Sequence, residues 1–204
     1  MNCSLPVHFT GVYHNAVLLA HKFLAEVMQE GCHAVDATAG NGNDTLFLAN
    51  CVGQKGKVYS FDIQRAAIAR TAALLKENGL LERVQLIQDS HEHMEKYIEK
   101  APRAIIFNLG YLPGGDHTMT TKPETTSKAV EEALTNLEPG GRISIVTYTG
   151  HTGAAEESRV LEEMAAGLNP KNYGVLKLSF INLSAQAPYL VLVERKVTNE
   201  NLAP

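Results

Sequence analysis

Two hydrophobic periods run along this chain, and the points where one replaces the other divide it into strands and helices. Val12, Ala16, Leu19, Phe23 and Val27 recur at helical spacing, with His14, His21, Lys22 and Glu26 between them. That predicts an amphipathic helix over about residues 11–29, ahead of any sheet. Short apolar runs follow at Ala34–Ala37, Lys57–Phe61, Val84–Gln88, Ala104–Phe107 and Arg142–Thr147, each leading into a polar loop and then a helical segment. The Asn43-Asp44-Thr45 group is expected to cap a helix running to about Cys51. Gln64–Asn78 is rich in alanine and leucine and is stopped by Asn78-Gly79. Further helices are expected over His93–Lys100, Thr125–Leu137 and Ala154–Leu168. The last two runs, Tyr173–Leu183 and Pro188–Val197, are joined too closely for a parallel crossover and should pair as an antiparallel hairpin. The pattern predicts an α/β fold: one domain over residues 1–204 with a doubly wound, mostly parallel seven-stranded sheet, a C-terminal antiparallel hairpin and helices on both faces.

Composition narrows the setting. Of 204 residues 45% are hydrophobic and 20% charged, as in a globular protein with a substantial core. A net charge of -4 gives no global attraction to nucleic acid, so an RNA partner must be held by a local basic patch. The cysteines, Cys3, Cys32 and Cys51, form no C-x-x-C pair and are odd in number, which argues against a disulfide framework or a zinc ribbon; no metal is expected. The run Ala16–Ala20 is followed by His21 and Lys22 without a small-residue cleavage site, so no signal peptide is expected, and no stretch is long enough for a bilayer. A cytoplasmic protein without membrane contact is the expectation.

In such a sheet, ligands collect beyond the carboxyl ends of the strands, where the polar clusters of this chain fall. The stretch Val35-Asp36-Ala37-Thr38-Ala39-Gly40-Asn41-Gly42-Asn43-Asp44-Thr45 reads as the first strand, a glycine turn and a helix start, and Asp62 follows about 20 positions later, where a nucleotide fold places its ribose ligand. A dinucleotide loop wants a third glycine where this chain has Thr45, and a phosphate loop wants a lysine, which is absent between Cys32 and Gln54. Asp36 and Asp44 flank the loop instead. They would repel a pyrophosphate and suit a cationic, phosphate-free ligand, a description that fits S-adenosylmethionine.

The pattern Asp-x-x-x-Gly-x-Gly at Asp36, Gly40 and Gly42, with Asp62 after the second strand and Asp89 after the third, resembles that of the Rossmann-like class I methyltransferases over nearly the whole chain. The resemblance implies that Asp62, with Gln64 beside it, binds the ribose hydroxyls and that Asp89, Ser90 and His91 meet the adenine. It gives the methionine end to Asp36 and the loop Gly40, Asn41, Gly42, Asn43 and Asp44. Asn108-Leu109-Gly110-Tyr111 resembles the Asn-Pro-Pro-Tyr signature of methyltransferases acting on nitrogen, with Leu109-Gly110 in place of Pro-Pro. There the amide oxygen of Asn108 and a backbone carbonyl at Leu109 would accept the hydrogens of an amine and aim its lone pair, while Tyr111 holds the planar part of the substrate. Positioning supplies most of the acceleration in such a transfer.

A narrower resemblance rests on the Asp36–Thr45 stretch, on Asn108-Leu109-Gly110-Tyr111-Leu112-Pro113-Gly114-Gly115-Asp116 with the Thr-rich segment after it, and on Tyr148-Thr149-Gly150-His151. These are similar to the small bacterial rRNA methylase-like family (YtqB or MnmM-like proteins). Membership implies methylation of the aminomethyl nitrogen of wobble 5-aminomethyl-2-thiouridine in tRNA, with the anticodon loop as partner. An ammonium must lose a proton before it attacks, and water, Asp116, His117 or His151 are the candidate receivers. Tyr111, Asp116, His117, Tyr148 and His151 form the expected substrate set, and Lys122, Lys128, Arg159 and Lys171 lie in segments that could rim the crevice for RNA. The residues alone leave open a methyltransferase acting on rRNA or a small amine, a non-catalytic nucleotide-binding module and, disfavoured by Thr45 and the acidic loop, a nicotinamide oxidoreductase. They do not set the oligomeric state; a homodimer is among the assemblies they allow.

Overall fold

Successive side chains of a strand point to opposite faces of its sheet, and in the parallel strands of this protein both faces are apolar. In the computed structural model, which describes residues 15–110, 121–148, 154–184 and 186–197, the strands are β1 (His33–Asp36), β2 (Lys57–Phe61), β3 (Val84–Ile87), β4 (Ala104–Asn108), β5 (Arg142–Thr147), β6 (Tyr173–Leu178) and β7 (Tyr189–Arg195). They form one sheet in the order β3-β2-β1-β4-β5-β7-β6. The first five are parallel to one another, while β7 runs antiparallel to both β5 and β6. Along β4, Ala104 and Ile106 enter one core and Ile105 and Phe107 the other. Helices α1 (Ala16–Ala25), α2 (Asn43–Val52) and α3 (Arg65–Glu77) cover the first with Leu19, Leu24, Phe47, Leu48 and Leu75. Helices α4 (Pro123–Asn136) and α5 (Ala154–Ala166) cover the second with Ala129, Ala133 and Leu161, joined by Met94 from a 3-10 helix over His91–Lys96.

The helix ends follow from local chemistry. The Asn15 side chain accepts from the amides of Val17 and Leu18 and so starts α1. Arg142 then fixes the far end of that helix to the sheet, donating to the Phe23 carbonyl and to Glu26 and Glu194, each at 2.7 Å. Asn78-Gly79 ends α3 as expected: Gly79 has φ 67° and Leu80 donates back to the Leu75 carbonyl at 2.9 Å. Pro123 opens α4, where its missing N–H costs nothing.

Three expectations change. The helix expected over His93–Lys100 begins earlier, at His91, and is a tight 3-10 turn broken by non-helical torsions at His93. The strand expected to run to Leu183 stops at Leu178, because β7 offers pairing only from Tyr189; beyond Leu178 the chain turns and leaves Ile181 fully exposed. The Asn43-Asp44-Thr45 group lies inside the first turn of α2 rather than capping it. The cap position is Gly42, at φ 87° and without a side-chain hydrogen bond, and the three side chains are released for other work.

From β1 the chain winds outward to β2 and β3 on one side, then returns to place β4 on the other. The crevice where the winding reverses therefore opens between the carboxyl ends of β1 and β4. Asp36 ends one of these strands and Asn108 the other, and the Asn108 amide donates to the Thr38 hydroxyl at 2.8 Å across the gap.

Candidate active site

The glycine turn is shaped from beneath by Asp36. That residue is fully buried; one carboxylate oxygen accepts from the Thr38 amide at 3.0 Å and the other from the Thr45 hydroxyl at 2.5 Å, which also meets the Ser60 hydroxyl at 2.8 Å. Burial, reinforced by the charge of Asp44, pushes the Asp36 carboxyl up to about 7 against the pull of the Thr45 and Thr38 hydrogen bonds. Thr45, which stands where a dinucleotide loop has glycine, thus ties Asp36 to β2. Gly42 has a different reason to be glycine: a Cβ there would lie 2.9 Å from the Thr71 backbone on α3.

Asp62, just beyond β2, accepts from the Gly40 amide at 3.0 Å and the Gln64 amide at 2.8 Å. Burial raises its carboxyl above the usual range against those two hydrogen bonds. The N-cap of α3 is Gln64, so Asp62 holds the glycine turn rather than capping the helix. On the same side, His91 donates from Nδ1 to the Ala37 carbonyl at 3.0 Å and packs edge-on against Phe107. Burial lowers its pKa and keeps the ring neutral, which makes Nε2 an acceptor, and among the described residues that buried atom has no partner.

The other members of the predicted cofactor set are arranged differently. Asp89 is taken up by its own segment, with the His93 ring at 3.0 Å, the Tyr97 hydroxyl at 2.8 Å and the Ser90 amide at 2.7 Å. His93 first, then Tyr97 and Ser90, hold its carboxyl at about 2. The Ser90 hydroxyl is on Glu92, and Asn41 accepts from Arg70 at 3.1 Å. Asn43 is exposed on the first turn of α2.

Asp44 and Asn108 meet. The Asn108 side-chain amide donates to one Asp44 oxygen at 3.0 Å, and the other lies 2.6 Å from Nε2 of His21, a buried side chain on α1. Leu109 is buried in the core and its amide donates to Val146 of β5 at 3.0 Å, which fixes the chain just past β4 to its neighbouring strand. Gly110 and Thr121 then close on each other: Thr121 donates its amide to the Gly110 carbonyl at 3.1 Å, and its hydroxyl accepts from the Gly110 amide at 3.1 Å. The same hydroxyl donates to Glu157 at 2.9 Å, a buried carboxylate that also accepts from Thr126 at 2.7 Å.

Tyr111, Asp116, His117 and His151 lie outside the described residues. Tyr148 is exposed just past β5, at the carboxyl edge. Of the basic residues, Lys122 is exposed at the start of α4, Lys128 reaches Glu92 at 3.4 Å, and Arg159 is engaged by Glu156 and Glu163 of its own helix. Lys171 does not rim the crevice. It precedes β6, which runs antiparallel to β7, and the register pairs that end of β6 with Arg195 at the opposite edge of the sheet.

Sequence reasoning overlooked His21, Thr38, Thr45, Thr121 and Glu157. His21 stood three positions before Leu24 and four after Val17, at the border of the apolar stripe, and that placement was the only signal available.

A family model described as rRNA methylase matches residues 58–194, more than half of the chain. The chain belongs to this rRNA methylase family. It is 38% identical to a protein of Arabidopsis thaliana named as a chloroplastic tRNA (mnm(5)s(2)U34)-methyltransferase, over 89% of this chain and 69% of that one. Among solved structures, an rRNA-methylase from Clostridium thermocellum is 44% identical with a TM-score of 0.87, covering 89% of this chain and 97% of its own. A methyltransferase from Streptococcus mutans in complex with SAH is 36% identical with a TM-score of 0.81, covering 89% and 98%. In this family member, no helix among the described residues is long and apolar enough to cross a membrane.

Proposed function

We propose that this protein transfers a methyl group from S-adenosylmethionine to the aminomethyl nitrogen of wobble 5-aminomethyl-2-thiouridine in tRNA, giving the 5-methylaminomethyl form. The observation that carries the chemistry is the orientation of Asn108. Its amide nitrogen is bound to Asp44, and among the described residues nothing donates to its oxygen. An oxygen so presented accepts a hydrogen from an amine and leaves the nitrogen lone pair free. The tRNA acceptor is supported by the named activity of the Arabidopsis thaliana relative.

The residues at the crevice fit the cofactor. Asp62 offers a carboxylate held at the Gly40 turn, His91 an acceptor at Nε2, and Asp36 a buried carboxyl beneath the turn whose ionised form a nearby cation would favour. S-adenosylmethionine, when bound, supplies a methyl group activated by a sulfonium. The chain itself binds, orients and excludes water. Asn108 Oδ1 and the Leu109 backbone hold the amine, Tyr111 and Tyr148 offer rings for the base, and Asp116, His117 and His151 are receivers for the proton the ammonium must lose. All of this lies within one domain. The anticodon loop is the part of tRNA engaged, and the cytoplasm is the compartment where the reaction takes place.

The test is nucleoside mass spectrometry on tRNA from cells lacking the gene, complemented with the wild type or with Asn108→Ala. The expected result is accumulation of 5-aminomethyl-2-thiouridine, reversed by the wild type alone. Purified wild-type protein that methylates rRNA fractions or free amines but leaves the hypomodified tRNA untouched would overturn the assignment.

A further inference from the structure

Asn108 can present its oxygen to a substrate only if something decides which way its amide faces. Asp44 makes that decision, because a carboxylate accepts and does not donate, so the amide nitrogen must turn toward it and the oxygen away. Asp44 is itself buried and would be free to turn if its second oxygen were unheld. His21 Nε2 holds that oxygen at 2.6 Å.

The His21 ring is located by two independent contacts. It stacks on Phe47 with centroids 3.9 Å apart and planes 4° from parallel, and Phe47 sits on α2, one turn after Asp44. The helix that carries His21 is fastened to the sheet through the Arg142 bonds to Phe23 and Glu26. The relay therefore joins α1, α2 and β4 at the point where the strand winding reverses.

We propose that His21 is a positioning residue for methyl transfer: through Asp44 it locks the Asn108 amide with its oxygen toward the acceptor amine. The kinetic part of this proposal rests on the amine-methylation reading given above; the locking of the amide does not.

Two substitutions separate the hydrogen bond from the packing. His21→Phe keeps a ring against Phe47 and removes the N–H, whereas His21→Gln gives up the ring and carries an N–H at about the reach of Nε2. The assays are methylation of hypomodified tRNA, calorimetry with S-adenosylmethionine, and solvent exchange of the 15N-labelled Asn108 side-chain amide. The relay predicts that His21→Phe lowers kcat by roughly 10- to 100-fold, the scale of a misplaced reacting group. Cofactor affinity should stay within about threefold, the Asn108 amide protons should exchange faster, and His21→Gln should restore both turnover and protection. The proposal is overturned if the phenylalanine variant keeps its turnover and amide protection, if the glutamine variant is the impaired one, or if cofactor affinity falls in step with kcat. Should His21→Phe not fold, His21→Asn, whose amide is too short to reach Asp44, replaces it in the same comparison. Wild-type protein inactive on the tRNA would refute the substrate reading, and the amide exchange of the variants would still decide the relay.

Discussion

Asp36→Asn gives a test of the glycine turn whose sign is set by burial. In the folded chain the Asp36 carboxyl is pushed up to about 7 from an ordinary value of 3.8, so the fold favours its protonated form. Between those values the folded chain binds more protons at this site than the unfolded chain does, and stability falls as pH rises. Integrating the two titrations gives a loss on the order of 2–3 kcal/mol from this site between about pH 5 and about pH 8. Asparagine keeps the shape: its oxygen accepts from Thr38, its nitrogen faces Thr45, and the Thr45 hydroxyl proton can turn to Ser60. It has no charge to bury. Urea unfolding of both proteins at the two pH values yields a double difference in which titrating groups remote from Asp36 cancel, leaving Asp36 together with the neighbouring Asp44 and Asp62. The wild type should lose about 2–3 kcal/mol more than the variant on going to the higher pH. Equal pH dependence in the two proteins, or a variant that loses more, would refute the argument that burial and the neighbouring Asp44 raise Asp36.

Four other outcomes follow from the same geometry. Binding of S-adenosylmethionine near neutral pH should release a fraction of a proton, because a cation beside Asp36 favours its ionised form; calorimetry in buffers of different ionisation enthalpy reads this, and uptake would contradict it. Asp62→Ala should weaken cofactor binding by roughly 10- to 100-fold, the scale of charge-assisted hydrogen bonds, with little change in KM for tRNA. Gly42→Ala should lower the Tm and impair cofactor binding together, since about 1–2 kcal/mol of left-handed strain adds to a Cβ 2.9 Å from the α3 backbone; an unchanged Tm would show that the turn does not need glycine. Glu157→Ala, which removes the acceptor of the Thr121 and Thr126 hydroxyls, should cost about 2–3 kcal/mol in urea unfolding and lower kcat more than cofactor affinity, with the reverse ranking counting against a role at the loop base.

Much of the fold was legible because its signals are local and repeated. Runs such as Ala104–Phe107 are apolar on both faces, which only a strand covered on both sides requires, and Asn78-Gly79 stops a helix by backbone chemistry that needs no partner. The fold class was reachable from the alternation of strand and helix periods along the whole chain, and the family and methyl-transfer reading from the resemblance carried by Asp36–Thr45, Asp62, Asp89, Asn108–Asp116 and Tyr148–His151. Whatever depended on partners distant in sequence was not. His21 sits among the polar positions of an amphipathic helix, and its burial exists only because Phe47 and Asp44 come to meet it from 23 or more residues away. Asp89 stands at a strand end like Asp62, yet its carboxylate is claimed by His93 and Tyr97, which lie one and two turns further along the same segment. A hairpin read from sequence does not say which edge of the sheet its first residue occupies; the β6–β7 register puts Lys171 at the edge away from the crevice.

The closure of Gly110 on Thr121 has a consequence for how such a protein can diverge. Gly110 and Thr121 are pinned to each other by two hydrogen bonds, and Thr121 is seated on Glu157. The entropic charge for joining two such pinned ends grows only slowly with the number of residues between them. The number of residues between positions 110 and 121 can therefore change at small entropic cost while β1 and the glycine turn, which are held by their own hydrogen bonds, stay as they are.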